Sequence, residues 1–336
     1  MTGVNGLPTA LAFRNMSRII TDLKRQSEVA RYETVTGRRF DLAEATDGNL
    51  GLVQQLEKAQ TDVLDYRTAI NIAKTRANVS ASGLDVAVKA AGNIAEDILG
   101  ALGVGNEQII TNSQDIARRE LDTVFAGLSV NVGGRYIFSG ADVDTPPLAP
   151  AATLIADLEA LALASTTAAD FETALDTYFN DPAGGFATNI YQGSSLDASS
   201  IEVAEAERLN VQPRADDQAL KDLFRSLGAI AVSASLTGLS PDERNTALES
   251  SAIDLANAEK GAIDLRADLG FTQERLETVL TRNEAEETAI IDSLQALIGA
   301  DEYEAATRLE VTENVLDIAF TATARLSQLS LVNYIR

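Results

Sequence analysis

The 336-residue chain contains no cysteine, no histidine and no tryptophan, and aromatic residues make up only 5% of it. These absences exclude disulfides, Cys/His zinc sites, cysteine nucleophiles and histidine bases. Any catalysis would have to use Asp, Glu, Lys, Ser or Tyr alone. The only tight acidic pairs, Asp142 with Asp144 and Asp216 with Asp217, are better explained as loop and helix-start charges. We therefore predict no enzymatic activity and no catalytic, cofactor-binding or metal-binding residues.

The chain also has little positive charge and no long apolar run. Its 27 Lys and Arg residues stand against 50 Asp and Glu, a net charge of −23, which disfavours nucleic acid and anionic membrane surfaces as partners. No apolar run approaches the roughly 18 residues of a membrane span, so no membrane insertion is expected. Residues 1–8 lack the basic and apolar segments of a cleaved signal peptide. That absence is typical of cytoplasmic proteins but leaves open export by a route that reads other signals.

What the chain does have is a sustained apolar repeat. From residue 52 to 98, alternate steps of four and three almost always reach an apolar or small residue: Leu52, Leu56, Ala59, Val63, Tyr66, Ile70, Ala73, Ala77, Ser80, Leu84, Ala87, Ala91, Ile94 and Ile98. This spacing predicts one long helix in a coiled-coil-like bundle. A glycine-rich break at 100–106 predicts a helix–helix turn, and the same spacing resumes over 110–128.

A second long apolar repeat with the same spacing runs from Leu248 to Leu297. Each such line of apolar positions along one side of a helix is here called a seam. Ser240, Pro241 and Glu243 predict the start of the helix with this second seam as N-cap, first-turn proline and capping box. Two polar seam positions, Asn283 and Glu286, either fix the helix register or mark a stretch that faces solvent.

The middle of the chain has mixed patterns. Val132 to Gly140 is typical of a strand that leaves a helix through two glycines, and 145–150 is a proline-rich boundary. Helices are predicted over 151–180 and 216–234, and short strands at 189–192, 200–203 and 208–212, the last two as a hairpin. The segment 146–187 is interpreted as a small insertion.

Both ends of the chain carry apolar seams, although the termini of globular proteins generally fray. The first seam contains Met16, Ile19, Leu23, Gln26 and Ala30, and the second contains Leu309, Thr312, Leu316, Ala319, Thr323, Leu326 and Ser330. Because apolar surface needs a partner, we predict that the two ends pair as helices and mediate assembly. The predicted subunit-assembly residues are Met16, Ile19, Leu23, Leu316, Leu326, Leu329, Leu331, Tyr334 and Ile335.

Two motifs resemble the flagellin superfamily, and most of all its hook–filament junction proteins, also called hook-associated protein 3. Residues 133–141, GGRYIFSGA, followed by TPP at 145–147, resemble the family's GGRYIFAG…TPP element. Residues 323–335, TARLSQLSLVNYI, resemble its ARLSQLSLLNYL ending, whereas filament flagellins usually end differently. Weaker matches are GRRF at 37–40 and YQG at 191–193. The segment 41–49 departs from the Asp-Asp-Pro stretch common in the family.

The resemblance implies a mainly α fold: a long antiparallel coiled-coil-like helical bundle, as in the flagellin rod, with paired terminal helices, a few short β-strands and a small inserted domain. The expected assembly domain is 1–40 with 300–336. The expected rod, with short hairpins, is 41–145 with 188–299, and the mostly helical insertion is 146–187.

The resemblance also implies a function. Such proteins are extracellular structural subunits of the ring that joins the bacterial flagellar hook to the filament, exported through the type III channel without a cleaved signal peptide. Implied partners are other hook-associated proteins, flagellin, copies of the chain itself, an export chaperone and the export apparatus. The alternative is a filament flagellin of the same superfamily, and a more distant one is a non-flagellar helical scaffold or adhesin.

Overall fold

The computed structural model describes the backbone of residues 7–334 and the side chains of residues 11–325 and 327. In this part of the chain the α-helices are α1 (Leu7–Thr36), α2 (Leu42–Ala45), α3 (Leu50–Ala91), α4 (Ile94–Val104), α5 (Glu107–Leu128), α6 (Ala151–Ala164), α7 (Ala168–Asn180), α8 (Gln218–Val232), α9 (Pro241–Ile298) and α10 (Glu302–Tyr334). The strands are β1 (Asn131–Val132), β2 (Arg135–Tyr136), β3 (Ile201–Ala204) and β4 (Glu207–Leu209). The predicted mainly α class, with long helices and a few short antiparallel strands, is confirmed.

The chain forms two compact units. One contains the residues up to Leu64 together with those from Glu284, and the other is Asp65–Asn283. The boundary falls within the two longest helices, α3 and α9. The division predicted from the sequence, with 146–187 as a domain of its own, stays a prediction.

In the second unit, the predicted seam of α3 is the buried face of the helix. Ile70, Ala77 and Leu84 are fully buried there. Side-chain bonds join α3 to α9 in opposite order along the two helices, linking Lys74 to Glu277, Asn78 to Gln273 and Asp85 to Arg266. The two helices therefore run antiparallel, as predicted.

The first long helix ends earlier than predicted. The sequence pattern runs on to Ile98, but α3 stops at Ala91 and Gly92 takes a φ of +43° before α4 begins. Ile94 and Ile98 are still buried, so the apolar spacing continues across the break and could not reveal it. The glycine-rich turn is also narrower than predicted, because only Gly105, with a φ of +67°, ends α4. The Asn106 side chain then caps α5 by accepting a bond from the Ile109 N–H.

Helix α9 is continuous from Pro241 to Ile298. The start of α9 agrees with the prediction in part. Ser240 is the N-cap, as predicted, because its Oγ accepts a hydrogen bond of 3.3 Å from the Glu243 N–H. The Glu243 carboxylate does not complete the capping box, because it accepts a bond of 2.7 Å from the Ala168 N–H and so joins α9 to the start of α7. Of the two polar seam positions, Asn283 is buried and Glu286 is exposed, so only Asn283 lies on the packed face.

The short strands form two hairpins. Gly133 and Gly134, with φ values of +61° and +84°, join β1 to β2, and positive φ at both central residues is the geometry of a type I′ turn. The predicted hairpin over 200–212 is observed as β3 and β4. The strand predicted at 189–192 is wrong for its first half, because Phe186–Ile190 forms a wide helical turn, and its second half is a single antiparallel bridge between Tyr191 and Leu148. Phe186 and Ile190 are both buried at a helical spacing that four residues viewed alone do not show.

Two of the motifs that resemble the family, GGRYIFSGA with TPP and the weaker YQG, lie against each other in the second unit. The Ser139 carbonyl accepts a bond of 2.9 Å from the Ser194 N–H, and the Pro147 carbonyl accepts one of 2.9 Å from the Gln192 N–H. The ring of Phe138 is fully buried beside Gly83 of α3, where a Cβ atom would lie 2.8 Å from the ring. The YQG match, weak as a sequence signal, therefore belongs to the same packed structure as the GGRYIFSG element.

Replacing Ala77 with Leu is expected to destabilise the second unit by ~1–3 kcal/mol, because added methylenes overpack a close-fitting core. Ala77 is fully buried on the α3 seam. Thermal and urea unfolding would measure the change. The matched control is Asn71→Leu on the exposed side of the same helix, where a change within about 0.5 kcal/mol is expected. Equal stability of the two variants would show that the seam has been assigned to the wrong face.

Candidate subunit-assembly surface

Helices α1 and α10 form an antiparallel pair. Lys24 lies over the Phe320 ring at 5.6 Å, Arg31 pairs with Glu313 at 3.1 Å, and Arg308 pairs with Glu33 at 2.6 Å. Because higher numbers on α1 meet lower numbers on α10, the helices run in opposite directions. The predicted pairing of the two terminal helices is therefore observed.

The seam between the helices follows the predicted spacing on α10 and differs on α1. On α10 the buried and half-buried positions include Leu309, Thr312, Leu316, Ala319 and Thr323, as predicted. On α1 they include Met16, Ile20, Leu23, Ser27 and Ala30, so Ile20 and Ser27 take the places predicted for Ile19 and Gln26, which are exposed. Both adjacent isoleucines, Ile19 and Ile20, fit alternate steps of three and four from Met16, and only the packing against α10 shows that Ile20 faces the seam.

The most deeply buried seam residues are small or polar. Ala30 is 3% exposed, Ala305 0%, Ala319 7%, Ser27 7% and Thr312 8%. The Thr312 hydroxyl donates a bond of 2.6 Å to the Arg308 carbonyl of its own helix. Such a seam lets the backbones approach closely, but it removes little apolar area from water and so supplies modest hydrophobic stabilisation.

Large apolar side chains of the pair instead face outward. The exposed residues are Leu11, Phe13, Ile19, Tyr32 and Val35 on α1, and Tyr303, Val311, Val315, Ile318 and Phe320 on α10. Three of them, Val311, Val315 and Ile318, are spaced by four and three and are 56%, 40% and 68% exposed. These three residues, here named the outer stripe, form a second apolar line beside the seam. A helix with two apolar lines can bury one in its own pair and the other against another molecule.

The predicted assembly residues lie in three settings. Met16, Leu23 and Leu316 are half-buried in the seam, and Ile19 is exposed beside it. Leu326, Leu329, Leu331 and Tyr334 belong to α10, but their side chains, and Ile335 as a whole, lie outside the described residues. Sequence reasoning missed the outer stripe, although its spacing runs parallel to the recognised seam and is visible in the sequence.

A buried carboxylate fixes the segment that follows α1. Glu33 has a side chain only 9% exposed, and its two oxygens accept bonds from Arg308 Nη2 at 2.6 Å and from the Phe40 N–H at 3.2 Å. Two backbone bonds hold the same segment, from Arg39 N to the Ile298 carbonyl and from Ala300 N to the Gly37 carbonyl. Glu33 thus connects α1, α10 and the chain between α1 and α2 at one point.

The segment that departs from the family's Asp-Asp-Pro pattern forms the short helix α2. Asp41 caps this helix, because its side chain accepts a bond of 3.0 Å from the Glu44 N–H. In the same unit, Val53 and Val63 of α3 pack with Ile290, Leu294 and Ile298 of α9 in a small separate core. The divergent sequence therefore still makes an ordered turn.

Replacing Glu33 with Ala is expected to loosen the α1–α10 pair by about 1–3 kcal/mol, since a bond to a charged group is lost and the Phe40 N–H loses its acceptor. Amide hydrogen exchange in α1 and α10 would measure the change, because opening of the pair need not unfold the second unit. Glu313→Ala is the control. Its ion pair with Arg31 has side chains 51% and 65% exposed, and exposed pairs contribute little. Equal protection in both variants would contradict the role given to Glu33.

The acidic pair at the start of α8 has the structural role expected of it. Asp216 pairs with Arg214 at 2.7 Å, and Asp217 caps α8 by accepting a bond of 3.1 Å from the Ala219 N–H.

Among the helices described here, none has the length and apolar content that crossing a membrane requires.

Comparison with known proteins gives matches to flagellar proteins. Residues 252–335 match the family described as the bacterial flagellin C-terminal helical region. A structure described as a flagellar hook-associated protein from Vibrio parahaemolyticus is similar with a TM-score of 0.52 and 12% identity, covering 75% of this chain and 99% of that one. FlgL from Bacillus cereus is similar with a TM-score of 0.52 and 15% identity, covering 72% of this chain and 99% of that one. Among curated proteins, no sequence matched. The chain therefore has a fold similar to that of flagellar hook-associated proteins, and its residues 252–335 match the C-terminal helical region of bacterial flagellin.

Proposed function

We propose that this protein is a structural subunit of the bacterial flagellum that forms the junction ring between hook and filament. Its subunits assemble through the α1–α10 pair. The observation that carries the proposal is the division of apolar surface in that pair: small residues fill the internal seam, while the outer stripe of Val311, Val315 and Ile318 is exposed.

The outer stripe supports assembly because its exposure has a cost in an isolated molecule. Burying a Val or Ile side chain is worth about 1.5–3 kcal/mol, so three of them side by side on one helix favour a contact with another molecule. The seam between α1 and α10 also supports assembly through this pair. It holds the two helices close through Ala30, Ala305 and Ala319 and leaves the larger residues of the pair available.

The comparisons support a place in the flagellum. The match over 252–335 includes all of α10, and the two similar structures are described as a flagellar hook-associated protein and as FlgL. Filament flagellin is the second candidate, because the matched helical region is that of bacterial flagellin. The GGRYIFSG element and the ARLSQLSLVNY ending, which resemble junction proteins, favour the junction.

The proposal includes the route to this position and the neighbours there. The chain is exported through the flagellar type III channel without a cleaved signal peptide, guarded by a cytoplasmic chaperone, and acts outside the cell. A chain with no cysteine cannot form a disulfide that would obstruct threading. Its neighbours are other hook-associated proteins, flagellin and copies of itself, and it has no catalytic role.

A strain that lacks flagellin tests this function against its rival. Hook–basal bodies purified from that strain should still carry this protein, because a junction subunit binds the hook before the filament grows. Deleting the gene for this chain in an otherwise normal strain should leave bare hooks and release flagellin into the medium. Hooks without this protein in the first strain, or filaments of normal length in the second, would contradict the proposal.

A further inference from the structure

The terminal helix pair is strongly polarised in charge. Its half nearest the chain ends, residues 7–26 with 318–334, contains five cations and one anion. The part of the same unit farther from the chain ends, residues 27–64 with 284–317, contains five cations and seventeen anions. In a chain with a net charge of −23, the half nearest the chain ends is therefore an isolated positive region, here named the basic end.

Three of the five cations of the basic end are exposed and face away from the seam, whereas Lys24 lies over the Phe320 ring and Arg25 lines the groove described below. Arg14 and Arg18 are two positions away from the seam residues Met16 and Ile20, about 200° around the helix. Both arginines are exposed, as is Arg325 on α10. Within the described part of the chain none of these three has an ion-pair partner. Unpaired guanidinium groups of one sign on one helix face are a recognition surface for anions or carboxylates.

The other end of the pair presents a groove of opposite charge. A cavity of about 640 Å³ opens between α1, α2 and the start of α10, with Ala30 and Ala45 among its apolar lining. Glu33 and Arg308, which also line it, neutralise each other in their ion pair. The other charged lining residues are four acids and two bases: Asp41, Glu44, Asp301, Glu304, Arg25 and Arg39. The groove thus has an excess of negative charge and, at about 640 Å³, a volume that can admit side chains.

We propose that the basic end of one molecule docks on the acidic groove of a second copy, so that copies join head to tail through charge complementarity. This inference rests on the proposed function, and it specifies that one binding partner of the α1–α10 pair is a second copy of the chain. Opposite charges across an interface steer association and fix register. The outer stripe carries no charge, so this contact is separate from the apolar one and has its own dependence on salt.

Charge reversal on each side tests the proposal with the full-length chain. One variant carries Arg14→Glu and Arg18→Glu, and the other carries Glu44→Lys and Glu304→Lys. The Glu44 and Glu304 carboxylates are chosen because, unlike Asp41 and Asp301, they do not cap a helix. The control carries Glu284→Lys and Glu286→Lys, exposed residues of the same unit that do not line the groove.

Sedimentation velocity at 50 and 500 mM salt gives the concentration of half-association. The wild type and the control should associate at low salt and weaken by about tenfold or more at high salt, where screening is strong. Each reversed variant alone should be weakened by about tenfold or more, because like charges meet. An equimolar mixture of the two reversed variants should recover association to within about threefold of wild type, since each supplies the charge the other lacks.

The mixture distinguishes a contact between molecules from a loss of folding. If both variants keep the wild-type circular dichroism spectrum and their mixture stays dissociated, the proposal is overturned. It is also overturned if the wild type stays monomeric at low salt, or binds a 20-nucleotide oligonucleotide there in preference to itself. Each of these results leaves the position of the protein in the flagellum, and so the proposed function, to be decided separately by locating it.

Discussion

Cells that produce the Ile318→Asp variant are expected to carry hooks without filaments, although the variant folds and is exported. Ile318 is 68% exposed in the single chain, so the substitution should change the free energy of unfolding by no more than about 0.5 kcal/mol. In an assembled subunit the same position would bury an unpaired carboxylate, at a penalty of several kcal/mol. The effect on assembly should therefore far exceed the effect on folding.

The measurements are thermal unfolding of the purified variant, electron microscopy of the cells, and the amounts of this protein and flagellin in the medium. Leu163→Asp is the matched control, because Leu163 is 61% exposed on α6, outside the terminal pair. The control strain should carry normal filaments. Normal filaments on the Ile318→Asp strain would remove the outer stripe from the assembly surface.

The substitution Phe138→Ala is expected to cost ~3–5 kcal/mol in the free energy of unfolding, because it removes a buried aromatic ring and leaves a cavity. Phe138 is fully buried, and Gly83 on α3 leaves room for its ring. The Phe138 carbonyl also accepts a bond of 2.9 Å from the Ala215 N–H. The ring therefore supports the meeting point of several segments, and collapse around the cavity should be limited.

Urea unfolding followed by circular dichroism measures this cost. The control is Phe271→Ala on α9, where the ring is 69% exposed and a change within about 0.5 kcal/mol is expected. A loss below about 1 kcal/mol for Phe138→Ala would show that the GGRYIFSG element is not a packing centre of the second unit.

Periodicity in the sequence predicted the packed faces well and the ends of helices poorly. In the second unit the seam of α3 is visible because its positions from Ile70 to Ala91 are buried in one core and so are constrained by the same packing, whereas Leu52, the first predicted position, is exposed. The break at Gly92 depends on a backbone φ of +43° at one residue. A glycine within an apolar repeat is compatible with both a continuous helix and a turn, as the unbroken α9 shows at Gly261 and Gly270.

Register on α1 was ambiguous for a different reason. Ile19 and Ile20 are equally apolar, and only the position of α10 decides that Ile20 faces the seam. A similar limit applies to Glu243, whose carboxylate bonds to Ala168 rather than to its own helix end. Such choices depend on contacts between residues far apart in the chain, which a local pattern cannot contain.

The candidate assembly surface follows only in part from the sequence. The ends of the chain were recognised as apolar, and their pairing is observed. The outer stripe was not predicted, because α10 has two apolar lines and the spacing of either one alone is sufficient to indicate a seam. The polarisation of charge along the pair was hidden by the net charge of −23. It appears only once the antiparallel pairing places Arg14 and Arg18 at the same end as Arg325.

The position of the protein in the flagellum is the most direct test of its function. Immunogold labelling of isolated flagella, with antibodies raised against the whole chain, should place gold in one narrow band between hook and filament. Label along the whole length of the filament would contradict a junction subunit and favour a filament flagellin, and flagella with no label would contradict both.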